Sequence, residues 1–78
     1  MSERVIRISS VEDATIFANA SEKCDDDVEL SQDDVTIDAK SLVGIFRLDL
    51  SRPLTAHYKA GENAAFEKLL EKFAEKDL

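Results

Sequence analysis

The sequence predicts an α+β fold, an open-faced β-sandwich with element order βαββαβα. Three observations predict it. Four short segments alternate apolar and polar residues, around Ile6/Ile8, Val28/Leu30, Val35/Ile37 and Leu54/Ala56/Tyr58, which is the period of a strand with one covered face. Two segments place apolar residues at helical spacing, most clearly Phe66, Leu69, Leu70, Phe73 and Ala74. Between the third and fourth alternating segments lies a dense apolar run, with Leu42, Val43, Ile45, Phe46, Leu48 and Leu50 inside residues 38–50. It is too short for a standard helix and too crowded for a surface one. Strands that are apolar on one side only need a single cover, so all three helices should lie on one face of the sheet.

Taken in order, residues 4–9 alternate as a half-buried strand, Ile6 and Ile8 on one face and Val5 and Arg7 on the other. Ser10 then fits a helix N-cap, and Asp13, three residues on, holds the capping-box position. Ala14, Phe17, Ala18 and Ser21 follow at helical spacing, so this helix packs through one large residue and several small ones. Residues 22–27 are polar and acidic and read as a loop. The two alternating segments that follow, with Gln32-Asp33-Asp34 between them, form a β-hairpin, because Asp tolerates the unusual backbone angles of a tight turn.

Ser41 stands where the N-cap of a one- or two-turn helix belongs. The segment ends near Asp49, and the short helix leaves apolar residues on its outer side. Those residues, beside a serine hydroxyl at a helix N-terminus, form the predicted binding surface, and its occupant is a protein partner rather than a substrate. Arg52-Pro53 marks the next boundary. Leu54, Ala56, Tyr58 and Ala60 alternate with Thr55, His57 and Lys59 as the fourth strand, and Gly61-Glu62-Asn63 opens the last helix. Lys68, Glu71, Lys72, Glu75 and Lys76 fill its outer face. Arg7, Glu29, Thr36, Thr55, His57 and Lys59 should lie on the bare face of the sheet.

Composition narrows the function. The 78 residues suffice for one domain, residues 1–78, with one small core. Seventeen acids against ten bases give a net charge of −7, which argues against nucleic acid or an anionic membrane as partner. No segment approaches the roughly 20 apolar residues of a membrane span, and the charged N-terminus lacks the apolar core of a signal peptide. Cytoplasm is the expected compartment. Cys24 is the only cysteine, and no metal-ligand spacing surrounds it. Its acidic loop should raise the thiol pKa. Asp25-Asp26-Asp27 with Glu29 lacks the glycine and spaced ligands of a calcium loop and reads as a solvated turn. Neither a cofactor nor a metal is expected.

The order of elements and several residues resemble the histidine-containing phosphocarrier protein (HPr) family of the bacterial sugar phosphotransferase system. Residues 27–42 fit that family's hairpin followed by Ala-Lys-Ser-(Leu/Ile), here Ala39-Lys40-Ser41-Leu42 with Gly44 shortly after. Ala14, Phe17, the Ala60-Gly61-Glu62 junction and the stripe of the last helix also fit. The resemblance implies an antiparallel sheet in the order 1-4-2-3. It also implies a phosphoacceptor segment, His-x-Arg-Pro-Ala, at the start of the first helix. Aligned on Ala14, this chain has Ser10, Glu12 and Asp13 where that segment has His, Arg and Pro. Phosphotransfer needs an imidazole nitrogen to hold a labile phosphoramidate and cationic groups to neutralise it. Two carboxylates disfavour phosphate at that place. The expectation is therefore a non-catalytic protein, with Ser10 and Glu12 marking a degenerate acceptor segment.

Catabolite-repression HPr-like proteins also lack the histidine yet keep the serine before the second helix. The resemblance to them makes Ser41 a regulatory phosphosite and Lys40, Leu42, Val43 and Phe46 the partner-binding residues. The implied partners are an HPr kinase, a transcription regulator or a phosphotransferase-system component, met by a monomer or weak dimer. Ser41 can serve as N-cap and phosphosite together, since a helix N-terminus favours phosphate. Ser10 reads as a plain N-cap, because no base stands beside it in sequence. His57 reads as an exposed sheet residue. The competing reading is a phosphocarrier component that uses a non-standard acceptor such as His57.

Overall fold

The computed structural model describes residues 1–74. Seven elements follow the predicted order: β1 (Ser2–Ile6), α1 (Val11–Glu22), β2 (Glu29–Gln32), β3 (Val35–Asp38), α2 (Leu42–Ile45), β4 (Leu54–Tyr58) and α3 (Ala64–Phe73). The strands form one antiparallel sheet in the order β1-β4-β2-β3. Both the α+β class and the 1-4-2-3 order are as expected. Glu75 and Lys76, assigned by the sequence to the outer face of the last helix, lie outside the described residues.

The alternation in the strands becomes a core on one side. Ile6, Leu30, Leu54, Ala56 and Tyr58 are buried and join Phe17 of α1, Ile45 of α2 and Phe66, Leu70 and Phe73 of α3 in one apolar cluster. Phe17 is its centre. Its ring lies 5.6 Å from that of Phe66 and 6.3 Å from that of Phe73 in tilted contacts, and Tyr58 meets Phe66 edge-on at 5.9 Å. Such pairs add about 0.5–1.5 kcal/mol each beyond burial. Ser21, buried on the same face of α1, donates to the Phe17 carbonyl at 2.9 Å, so its hydroxyl is satisfied without leaving the helix.

The turns obey their chemistry. Asp33 takes φ 53° between β2 and β3, the left-handed region that Asp enters more readily than most residues. Arg52 holds both Asp33 carboxylate oxygens at 2.9 Å. Gly61, at φ 83°, reverses the chain before α3. There Asn63 caps the helix by accepting from the Phe66 N–H at 3.0 Å.

Several details differ from the sequence expectation, among them Ala74, which follows the end of α3 and bridges to Ile6, and Arg7, which lies beyond β1. The first strand runs over Ser2–Ile6 rather than residues 4–9, because β4 pairs it from Tyr58 back to Leu54. Beyond Ile6 the chain turns to the end of α3, where the Arg7 N–H donates to the Phe73 carbonyl at 2.8 Å, and Ile8 is buried without being in a strand. Val35 is 45 % exposed, since β3 is the sheet edge. Ala60 is exposed and lies past the end of β4.

Candidate functional site

Two helix N-termini carry the residues singled out in the sequence. Ser10 caps α1: its backbone is extended (φ −151°, ψ 164°) and its Oγ accepts from the Asp13 N–H at 3.0 Å. The Asp13 carboxylate accepts from the Ser9 hydroxyl at 3.3 Å, so the capping-box acid turns to the preceding serine. Glu12 is exposed beside it. Two acids in the first turn suit the positive end of the helix dipole. The turn itself holds no basic residue, and the chain's single histidine lies on β4.

Ser41 caps α2 in the same manner. Its Oγ accepts from the Gly44 N–H at 3.1 Å. The approach is fixed by the Ser41 N–H donating to the Asp38 carbonyl at 3.0 Å, and by the Lys40 N–H donating to the Asp38 carboxylate at 2.9 Å. α2 is a single turn without an acid in that turn. One side of it is anchored by buried Ile45, with Leu48 just beyond. The other side exposes Val43 (73 %) and Phe46 (45 %), and Leu42 is half-buried. Ser41, Leu42, Val43 and Phe46 thus sit together around one turn. Lys40 is adjacent in sequence, but its ammonium is directed to the Cys24 carbonyl at 3.3 Å.

Cys24 is buried at the end of α1. Burial pushes its thiol up, the Glu62 carboxylate adds to this, and Lys40 opposes it. The direction matches the sequence expectation, but the leading cause is burial rather than the acidic loop. In that loop Glu62 accepts from the backbone N–H groups of Asp25 and Asp26 at 2.6 and 2.9 Å, and Lys59 pairs with Asp26 at 3.3 Å. Among the described residues no group of three or more His, Cys, Asp or Glu side chains is placed to hold a metal ion. Nor is any described helix long and apolar enough to cross a membrane.

One constellation was missed by sequence reasoning. On the bare face of the sheet, His57 lies between two strands. Its Nε2 is 2.7 Å from Ser31 Oγ on β2, and its Nδ1 is 3.5 Å from a Glu3 carboxylate oxygen on β1. The imidazole is only 23 % exposed. Period-two alternation places Ser31 and His57 on this face, but Glu3 precedes the strand read from the sequence, and only the strand order and register bring the three together.

The sequence matches no protein-family model and no curated protein. Among solved structures, the chain is similar to the crystal structure of HPr-C-His from Thermoanaerobacter tengcongensis, with 22 % identity and a TM-score of 0.74, over 92 % of this chain and 89 % of that one. The chain has an HPr-like fold.

Proposed function

We propose that this chain is a non-catalytic docking module on an HPr-like scaffold. It meets a protein partner of the sugar phosphotransferase system through Leu42, Val43 and Phe46, with Lys40 at the border of that surface. The observation that carries the proposal is the exposure of Val43 and Phe46 on a one-turn helix whose cap, Ser41, is also exposed. Exposed apolar side chains grouped this closely are a usual mark of a protein contact. Phosphate on Ser41 would place negative charge at the edge of that apolar surface and switch its affinity. The module works in the cytoplasm, and an HPr kinase or a transcription regulator is the kind of partner it fits.

Phosphotransfer from the first helix does not fit the residues. Ser10 offers a hydroxyl rather than an imidazole, with two carboxylates beside it. A phosphocarrier role for His57 is also disfavoured. Both ring nitrogens face partners, and Glu3 and Glu29 stand directly opposite it on the neighbouring strands, where their charge opposes a phosphoryl group.

Binding to an HPr kinase, titrated by calorimetry, tests the proposal. Val43→Ala with Phe46→Ala should weaken binding by roughly tenfold or more, as loss of an apolar anchor does, and leave the unfolding midpoint nearly unchanged. Equal binding by the double variant, or a large loss of stability, would assign these side chains to packing instead.

A further inference from the structure

We propose that Ser31 is a nucleophilic acyl acceptor, with His57 as its general base and Glu3 as the group that positions the base. This lies beyond the docking role and on the other side of the molecule. The three residues come from three adjacent strands, β2, β4 and β1. Glu3 stands directly opposite His57 in the β1/β4 register, and Ser31 reaches it on the diagonal from the β2/β4 register. With Nδ1–H turned to the Glu3 carboxylate 3.5 Å away, Nε2 is left as the acceptor for the Ser31 hydroxyl at 2.7 Å. A nucleophile within hydrogen-bond reach of a base that a third group orients is the geometry of an activated serine. The Glu3 contact is long, as such contacts often are before a substrate binds.

The surroundings select the donor. Thr36 and Thr55 stand directly opposite Ser31 on its two neighbouring strands. Side chains paired across an antiparallel sheet lie about 4.5–5.5 Å apart at Cβ, so the two threonines flank Ser31 on either side. The next row across the sheet reads Glu3, His57, Glu29 and Asp38. Three carboxylates there repel a phosphoryl anion and tolerate a neutral acyl group. The ligand class is an activated ester or thioester.

In the reaction, Ser31 Oγ bonds to the acyl carbon as its proton passes to His57 Nε2, and the carbonyl π pair moves onto the carbonyl oxygen. That pair then returns, the bond from the acyl carbon to the leaving oxygen or sulfur breaks, and the leaving group takes the proton from Nε2. Nothing is oxidised or reduced. The products are acyl-Ser31 and an alcohol or thiol. One acyl group per chain is the expected extent.

Para-nitrophenyl acetate is the probe, read by intact mass and by peptide mapping with hydroxylamine to distinguish esters from lysine amides. The expected result is one hydroxylamine-labile acetyl group on Ser31. It is absent in Ser31→Ala and formed on the order of 10²-fold more slowly in His57→Ala, the usual minimum for loss of a general base. Glu3→Gln should slow acetylation less than His57→Ala, at an unchanged melting temperature. Ser41→Ala should label like the parent chain, which separates this activity from the docking surface. No ester on Ser31, or an ester whose rate is indifferent to His57→Ala, overturns the proposal.

Discussion

The N-termini of α1 and α2 make the same cap and face opposite ways in chemistry. In each, a serine in extended conformation accepts the backbone N–H three residues on, at 3.0 Å for Ser10 and 3.1 Å for Ser41. After Ser10 comes a twelve-residue helix whose first turn holds Glu12 and Asp13 and which buries Ala14, Phe17, Ala18 and Ser21. After Ser41 come Leu42, Val43 and Gly44, a helix of four residues that buries only Ile45. The cap is therefore not what differs. The first helix is a structural member whose opening turn carries two carboxylates. The second meets the core through Ile45 and Leu42 and leaves Val43 and Phe46 exposed. A shared local motif thus says little about role, and the next five residues decide it.

Breaking the two helices should show that difference. The largest effect belongs to Phe17→Ala, which removes the ring at the centre of the aromatic cluster. Urea unfolding should record a loss of about 3–5 kcal/mol, a large part of the stability of so small a protein. The caps come next. Ser10→Ala should cost about 1–2 kcal/mol, because a long packed helix depends on it. Ser41→Ala should cost no more than about 1 kcal/mol, because a single turn does. An equal loss at both sites would mean that α2 carries more of the fold than its burial indicates.

The smallest effect is a pH dependence at the end of α1. The folded-state pKa of Cys24 is raised above its ordinary value of 9.0. The unfolded chain therefore releases the thiol proton first as pH rises. The stabilisation is fully present below pH 9.0 and is lost between that value and the higher folded-state pKa. Cys24→Ala should flatten the alkaline limb of stability against pH, measured by urea midpoints across that range. The same burial should make the native thiol slow to react with alkylating reagents.

Much of this was legible in the sequence because it is local. Ser10 and Ser41 as caps, Asn63 before the last helix, the Asp33 turn and the apolar excess around Val43 and Phe46 each depend on a few neighbouring residues. What was hidden depends on pairing. Hydropathy could not extend the first strand back to Ser2, because Ser2, Glu3 and Arg4 are held there by β4 rather than by apolar burial. Val35 looked inward by alternation, but its strand is an edge. The ammonium of Lys40 could not be placed without knowing that the Cys24 carbonyl lies within reach. The Glu3–His57–Ser31 contact needed three strands in register.

The contrast between the two caps is tested most directly by incubating the protein with an HPr kinase and ATP and mapping phosphate by peptide mass spectrometry. The account predicts a single acid-stable phosphate on Ser41 and none on Ser10. Phosphate on Ser10, or a chain left unmodified under conditions that phosphorylate HPr itself, would contradict it.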